Sequence, residues 1–153
     1  MTGFLNKRSS GLLLHISSLP SGSGTGDFGR AAYKFIDFLE KSRQSYWQVL
    51  PLNPTTALKA YSPYAPLSAF AGNTLFINHR ILYEDNLIKK EDTGQAALAD
   101  FKLAGKIRGK LLGIAYEKFK SGTNASLKNE FEAFCLNNRK WLDDYAAFKV
   151  FHD

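Results

Sequence analysis

The residues best suited to chemistry lie in one loop, between positions 53 and 73, that is rich in proline, glycine and aromatic side chains. It carries the rings of Tyr61, Tyr64 and Phe70, and its polar side chains include Ser62 and Asn73. A flat ring matches the apolar C–H face of a pyranose, and serine and asparagine can hydrogen-bond to sugar hydroxyls. The loop therefore favours sugar contact. The residues alone leave open the more common arrangement, in which the rings simply anchor the loop to the core.

Carboxylates, the groups that usually cleave glycosidic bonds, are scarce in the first half of the chain. Asp27, Asp37 and Glu40 are the only acidic residues before Glu84. Asp37 and Glu40 belong to the polar face of a predicted helix, which leaves Asp27 as the one loop carboxylate. Because glycosidic chemistry uses a pair of carboxylates, we assign no catalytic residue and expect no catalytic pair within this chain.

The segment Gly24–Gly29 satisfies the glycine pattern G-x-G-x-x-G of dinucleotide-binding loops. The preceding predicted strand ends near Ser17, too early for the tight turn that such a site needs. No acidic residue follows between Glu40 and Glu84, where the ribose ligand would stand. We interpret the glycines as a loop that needs positive φ angles and close backbone approach.

Metal and disulfide sites are not predicted. His15, His79 and His152 stand far apart without a cysteine cluster, so we expect no metal and no cofactor. His15 ends a predicted strand, where a structural role and a ligand-facing role both remain open. The single Cys135 excludes an internal disulfide framework and fits a reducing compartment.

The net charge of +6 is spread along the chain without a block of like charge. This pattern is typical of solvated faces, so we expect neither a nucleic-acid partner nor a membrane partner. No apolar run approaches the ~18 residues of a membrane span. The first ten residues lack the apolar core of a signal peptide. A cytoplasmic location is therefore expected.

Two apolar runs, Gly11–Ser17 and Tyr46–Leu52, are predicted to be strands, and the segment Arg30–Ser42 between them shows helical spacing. The second run is apolar on both faces, which is typical of a parallel sheet covered on both sides. Such a strand, loop, helix, strand unit should cross over with right-handed sense.

The second half of the chain reads as helical. Apolar residues three or four apart predict a helix over about 96–120, with Arg108 among the polar residues between them. Asn124 or Ser126 should cap a further helix, and a last helix should span about Arg139–Phe151. A helical turn is expected near 80–87. We interpret the aromatic stripes of these helices as core, with a domain boundary between positions 77 and 92.

Several sequence blocks resemble those of a known family. They are Ser10–Pro20, Gly24–Gly29, Gln44–Leu52, Ser62–Tyr64 and Ser68–Asn73. In this order they resemble the amino-terminal blocks of amylomaltases, the 4-alpha-glucanotransferases (disproportionating enzymes) of glycoside hydrolase family 77. The resemblance is specific over residues 8–78 and extends more weakly to Trp141–Phe148.

The resemblance implies an α/β fold: a partial (β/α)8 (TIM) barrel comprising its first strands, with an inserted helical subdomain. Residues 1–80 would form the barrel part and residues 81–153 the helical insertion. The family transfers segments of alpha-1,4-glucans between maltooligosaccharides through a covalent glycosyl-enzyme intermediate, by retaining double displacement. In the family, the tyrosine of the Ser-Pro-Tyr block stacks on the sugar and the serine helps to hold the glucan. By match, these substrate-binding roles fall to Tyr64 and Ser62.

Two features depart from the family pattern. Ala65 stands where the family usually has glutamine, which removes an amide from the sugar site. The segment Thr55–Tyr61 is longer than usual and lacks the Gly-Tyr-Gly character common there. The resemblance therefore carries over no sugar contact beyond Tyr64 and Ser62.

The family's catalytic carboxylates come from later strands, and a barrel of about 250 residues cannot close within 153. We therefore expect an amino-terminal portion, from a truncated gene or an excised fragment, that is inactive alone. One alternative is a non-catalytic glucan-binding or protein-interaction module, which covers its exposed sheet edge with a partner or by self-association. Another is a basic helical nucleic-acid binder that uses Lys102 to Lys120.

Overall fold

The computed structural model describes residues 8–90, 98–122 and 124–152. Within these ranges it forms two strands and four helices: β1 (Gly11–Leu13), α1 (Arg30–Lys41), β2 (Tyr46–Gln48), α2 (His79–Glu84), α3 (Phe101–Lys120) and α4 (Ala125–His152). Three short 3-10 turns lie at Ile16–Ser18, Ala57–Lys59 and Thr74–Phe76. The start of the predicted first domain, residues 1–7, and the predicted start of the long helix at 96 lie outside the described residues.

The strands β1 and β2 pair in parallel, which confirms the predicted arrangement of strand, helix and strand. Leu12 lies opposite Trp47 in the register, and the Phe35 ring of α1 packs edge-on against Trp47 with ring centroids 4.9 Å apart. Both strands are shorter than predicted. After β1 the chain turns into the 3-10 turn at Ile16, and after β2 it meets Pro51, which has no N–H to donate to a ladder.

The expectation that the second strand is buried on both faces is wrong for the described chain. Successive strand residues point to opposite faces. Trp47 points toward α1 and is half-buried, whereas Tyr46 and Gln48 point to the other face and are exposed. On β1, Leu13 is also exposed. The sheet is therefore covered by α1 on one face only.

The core consists of two clusters, and α3 contributes to both. The first contains Ile16, Leu19, Ala32, Leu75, Phe76 and Ala104, and the second contains Leu82, Ile88, Leu111 and Ala115. The residues that α3 buries are Ala104, Arg108, Leu111 and Ala115, which recur at helical spacing along one face. α3 thus packs directly on the strand-bearing half. The division into domains at residue 80 stays a prediction.

A single helix, α4, replaces the two helices predicted after residue 124. Asn124 caps it, since its side-chain oxygen accepts hydrogen bonds from the backbone N–H groups of Ser126 and Leu127. The prediction of a separate last helix over about Arg139–Phe151 is wrong, because the helix continues from Ala125 to His152. Asn138 lies inside the helix, and its side-chain amide donates to the Phe134 carbonyl at 2.8 Å, one turn back.

The prediction that the aromatic stripe of this last segment forms core is also wrong. The structure describes every residue of α4, and none of them is buried. Phe131, Phe134 and Phe148 are each close to half exposed. Two ring contacts tie the helix to its neighbours: Phe131 to Phe119 of α3, and Trp141 to Phe70 of the aromatic loop.

Candidate functional site

Backbone and side-chain hydrogen bonds close the aromatic loop, residues 53–73, directly after β2. The Leu67 N–H donates to the Pro54 carbonyl at 3.1 Å, and the Asn73 N–H donates to the Leu52 carbonyl at 2.9 Å. The Asn53 amide donates to the Ala71 carbonyl at 3.1 Å. Compact surface loops whose two ends lie close together on a rigid scaffold are frequently functional.

The three rings of this loop have different environments. Tyr61 stacks on Phe101 of α3, with ring centroids 4.9 Å apart and planes 18° apart. Phe70 stacks on Trp141 of α4 at 5.9 Å and 21°. Tyr64 is 73% exposed, and no ring in the described part of the chain pairs with it. Tyr61 and Phe70 thus contact helices through their rings, although Phe70 is itself 72% exposed. Tyr64 is the ring of this loop that has no stacking partner among the described residues.

Ser62 and Tyr64 lie together in a tight turn. The Tyr64 N–H donates to the Ser62 hydroxyl oxygen at 3.3 Å, and the Ala65 N–H donates to the Ser62 carbonyl at 3.2 Å. Ala60 and Tyr61, immediately before, both have left-handed backbones with φ of 49° and 55°. Residues other than glycine adopt this conformation at a cost of roughly 1 kcal/mol or more, and such strain gathers at functional sites.

A cavity of about 190 Å³ lies where the two strands end, next to this turn. Its wall includes polar side chains and aromatic rings, among them His15, Ser17, Ser18, Thr55, Tyr61, Asn73 and Phe101. Pro63 also lines it, which places the cavity beside the turn that carries Tyr64. Sequence reasoning singled out the loop but missed the contribution of α3.

His15 is half-buried in that wall, with its ring edge against Phe76 at 5.4 Å. Its Nδ1 atom is buried and has no hydrogen-bond partner among the described residues. Desolvation lowers the pKa of His15 below its ordinary value of 6.5. The imidazole is therefore neutral at neutral pH, and it can donate from one ring nitrogen and accept at the other.

Asp27, the one loop carboxylate, is committed elsewhere. Its Oδ2 atom accepts from Arg108 Nη2 at 2.6 Å, and the two side chains are only 5% and 1% exposed. Its Oδ1 atom accepts from the Asn78 amide at 2.7 Å and from the Gly29 N–H at 2.9 Å. Placing Arg108 on a polar face was wrong. The signal for this pair is that Arg108 follows Ala104 by four residues and precedes Leu111 by three, on the apolar face of α3.

The glycine pattern serves close packing, as interpreted from the sequence. Gly24 has a φ of 88°, and a side chain at Gly26 would collide with the backbone of Ile16 and Leu19. The Gly29 N–H at the start of α1 already donates to Asp27. A carboxylate therefore occupies the helix start, where a dinucleotide site would place its pyrophosphate.

Residues 8–90, 98–122 and 124–152 contain neither a metal-binding cluster nor a membrane-spanning helix. In these ranges no three side chains among His, Cys, Asp and Glu are grouped so that they could hold a metal ion. None of the helices described there has the length and apolar character to cross a membrane.

Comparison with known proteins identifies the family. The family model of glycoside hydrolase family 77, described as 4-alpha-glucanotransferase, matches residues 14–153. The chain belongs to this family. It is 45% identical over 141 residues to the 4-alpha-glucanotransferase of Clostridium butyricum, which covers 88% of the chain. It is 40% identical over 158 residues to that of Streptococcus pneumoniae serotype 4, which covers 97% of the chain.

The fold is similar to that of a solved family member. The amylomaltase from Streptococcus agalactiae, in complex with acarbose, superposes with a TM-score of 0.80 at 34% identity over 95% of this chain. The matched part is 30% of that amylomaltase, and 28% and 30% of the Clostridium and Streptococcus pneumoniae enzymes. The chain thus spans less than a third of the length of these 4-alpha-glucanotransferases.

Proposed function

We propose that this chain is the amino-terminal part of a 4-alpha-glucanotransferase that transfers alpha-1,4-glucan segments between maltooligosaccharides by retaining double displacement. Its contribution is to bind the glucan, with the Tyr64 ring stacked on a glucose unit and Ser62 hydrogen-bonded to the same glucan. The observation that carries this proposal is the open Tyr64 ring, on an anchored loop, in a chain of this family. We also propose a cytoplasmic setting, which fits a single cysteine.

The architecture in this proposal is the first part of a (β/α)8 barrel. β1, α1 and β2 form one parallel strand, helix, strand unit, which is the repeating unit of such barrels. Barrel enzymes bind substrate at the carboxyl ends of their strands. The aromatic loop leaves β2 at that end, and the cavity lined by His15 lies there too.

Binding without catalysis is the role that we propose for the chain alone. Asp27 is buried and paired with Arg108, so it cannot reach a sugar. A double displacement needs two carboxylates about 5 Å apart at the scissile bond. We therefore expect the purified chain to show no disproportionation of maltotriose. Release of glucose and longer maltooligosaccharides from maltotriose by this chain would contradict the proposal.

Titration calorimetry with maltotriose tests the sugar contact. Replacing Tyr64 with alanine removes the stacking ring, so we expect the dissociation constant to rise about fivefold, which corresponds to about 1 kcal/mol. Tyr64→Phe keeps the ring and should bind nearly as well as the native chain. The matched control is Tyr33→Ala on α1, whose ring is 66% exposed. Equal affinities for Tyr64→Ala and Tyr33→Ala would refute the role of Tyr64.

A second candidate is a non-catalytic module that binds glucan or another protein, or that self-associates. It is favoured by the exposed apolar side chains on the open face of the sheet and on α4, such as Leu13 and Phe134. Sedimentation equilibrium distinguishes this candidate. A mass above that of the monomer that falls when Leu13 is replaced by aspartate would support self-association, and a monomer at all concentrations would exclude it.

A further inference from the structure

The buried ion pair between Asp27 and Arg108 joins residues that are 81 positions apart. Asp27 belongs to the glycine loop before α1, and Arg108 belongs to the buried face of α3. We call this pair, with the Asn78 amide that also donates to Asp27, the clasp. Through the clasp, charged groups join the helical half of the chain to the strand-bearing half.

Stability alone does not explain the clasp. Arg108 uses Nη2 for Asp27, whereas its Nε and Nη1 atoms are buried without hydrogen-bond partners among the described residues. Burial lowers the pKa of Arg108, and the charge of Asp27 opposes that shift. A buried ion pair with unsatisfied donors is often no more stable than apolar residues of similar volume, so the clasp is weak evidence for stability, and a role in conformational specificity is the hypothesis to test.

On the Asp27 side, the clasp holds two parts of the wall around the cavity at the strand ends. The Gly26 N–H, next to Asp27, donates to the Ser17 carbonyl at 3.0 Å. The Phe28 N–H, on the other side of Asp27, donates to the Phe76 carbonyl at 3.0 Å. Ser17 and Phe76 both line that cavity.

On the Arg108 side, the clasp holds the opposite part of the wall. Phe101 begins α3 and precedes Arg108 by seven residues, so the two side chains lie on the same helix face. Phe101 lines the cavity and stacks on Tyr61. Tyr61 in turn leads directly into the turn that holds Ser62 and Tyr64. A shift of α3 along its own axis would therefore move the Phe101 ring, and with it the Tyr61 ring that stacks on it in the cavity wall.

We propose that Asp27 and Arg108 are positioning residues that set the spacing between the Ile16–Ser18 turn and the Phe101–Tyr61 ring pair, and so shape the glucan site. This inference rests on the proposed function, because it concerns the same site. Neither residue touches the glucan. Both act through the elements they hold together, and changes in the clasp should alter sugar affinity even when the chain stays folded.

The test compares Asp27→Asn, Arg108→Met and the double variant, by thermal unfolding and by maltotriose titration. Each single variant leaves an uncompensated buried charge, so we expect the midpoint temperature to fall by roughly 10 °C. The double variant removes both charges and should recover most of that loss. Its dissociation constant for maltotriose should still be raised about threefold or more. The control Arg80→Met breaks an exposed ion pair, between Arg80 and Glu84, and should change neither measurement.

A recovered midpoint temperature with native affinity in the double variant would overturn the proposal and leave the clasp a purely structural contact. If the double variant does not fold, Arg108→Lys provides the test, since it keeps the charge but has shorter reach and no fork of donors. We expect it to fold and to bind maltotriose about threefold more weakly. Native affinity in Arg108→Lys would equally refute the positioning role.

The stack of Tyr61 on Phe101 provides a measurement, independent of sugar binding, that distinguishes failure of this inference from failure of the proposed function. If the native chain does not bind maltotriose, the proposed function fails. The positioning role of the clasp is then tested by nuclear Overhauser effects between the Tyr61 and Phe101 rings, which report whether the two rings stay stacked. Loss of these effects in the folded double variant or in Arg108→Lys supports positioning. Their persistence overturns it. If the native chain binds and the clasp variants bind equally well, only the inference of this section fails.

Discussion

The two long helices of this protein differ in amphipathicity and in burial, since apolar residues are gathered on one face more strongly in α3 than in α4. α3, with 20 residues, buries one complete face, whereas α4, with 28 residues, buries none of its side chains. The difference lies in what each helix meets. α3 presents the small residues Ala104 and Ala115 together with Leu111, so it packs closely on both core clusters. The contacts of α4 with its neighbours include the ring pairs of Phe131 with Phe119 and of Trp141 with Phe70. Periodicity predicts a helix face, but burial depends on what packs against it.

Matched leucine substitutions should give the largest contrast between the two helices. Leu111 of α3 is 1% exposed and Leu136 of α4 is 74% exposed. We expect Leu111→Ala to lower the free energy of unfolding by about 2–5 kcal/mol because it leaves a cavity. Leu136→Ala should change it by less than about 0.5 kcal/mol. Urea denaturation followed by circular dichroism measures both, and equal losses would show that α4 is packed more tightly than its exposure indicates.

Matched glycine substitutions should give the next largest effect, with opposite signs. Gly26 touches the backbone of Ile16 and Leu19, so Gly26→Ala should destabilise the chain by about 1–3 kcal/mol through overpacking. Gly105, inside α3, has nothing within 4 Å of an added methyl group. Gly105→Ala should therefore stabilise the chain by about 0.5–1 kcal/mol. A neutral Gly26→Ala variant in the same denaturation experiment would contradict the close approach.

The stack of Phe70 on Trp141 should make a smaller contribution to holding α4. A double-mutant cycle with Phe70→Ala and Trp141→Ala should give a coupling free energy of about 0.5–1.5 kcal/mol. The same cycle between Phe70 and Phe134 serves as control, and those effects should add. Additive effects for Phe70 and Trp141 as well would mean that α4 is not held by this contact.

The smallest expected effect concerns pH and the strand-end cavity. Because burial lowers the pKa of His15 below 6.5, the folded chain binds fewer protons than the unfolded chain as the pH falls below that value. The free energy of unfolding should therefore rise with pH up to about 6.5 and level off above it. His15→Gln should reduce the difference in stability between about pH 5.5 and about pH 7.5. An unchanged difference would show that His15 does not contribute.

Local signals predicted the local structure well. The helical spacing of Ala32, Phe35 and Leu39 gave α1 within one residue, and Asn124 was one of two predicted caps. The apolar strand runs predicted parallel pairing correctly. The predicted lengths and burial of the two strands were wrong, since both depend on which elements cover the sheet. The division of α4 into two helices failed because residues 125–152 contain no proline or glycine that would interrupt a helix.

The long-range part of the candidate site had only a partial signal, since the helical spacing of Arg108 from Ala104 and Leu111 indicates burial but does not identify its partner. Arg108 was grouped with the lysines of α3 because charged residues are usually solvated. A pair 81 residues apart leaves no spacing in the sequence. The stacking of Tyr61 on Phe101 was missed for the same reason. For Tyr64, by contrast, the Ser-Pro-Tyr block drew attention to the position, and the structure leaves that ring accessible.

The lone thiol of the protein lies at Cys135, near the middle of α4. This helix is about 42 Å long at the standard rise per residue. A spin label on that sulfur, paired with a second label introduced at an exposed position of α1, would report the swing of α4 as an interspin distance. Cys135 thus provides a labelling site for measuring how rigidly α4, the longest helix, is held against the rest of the protein.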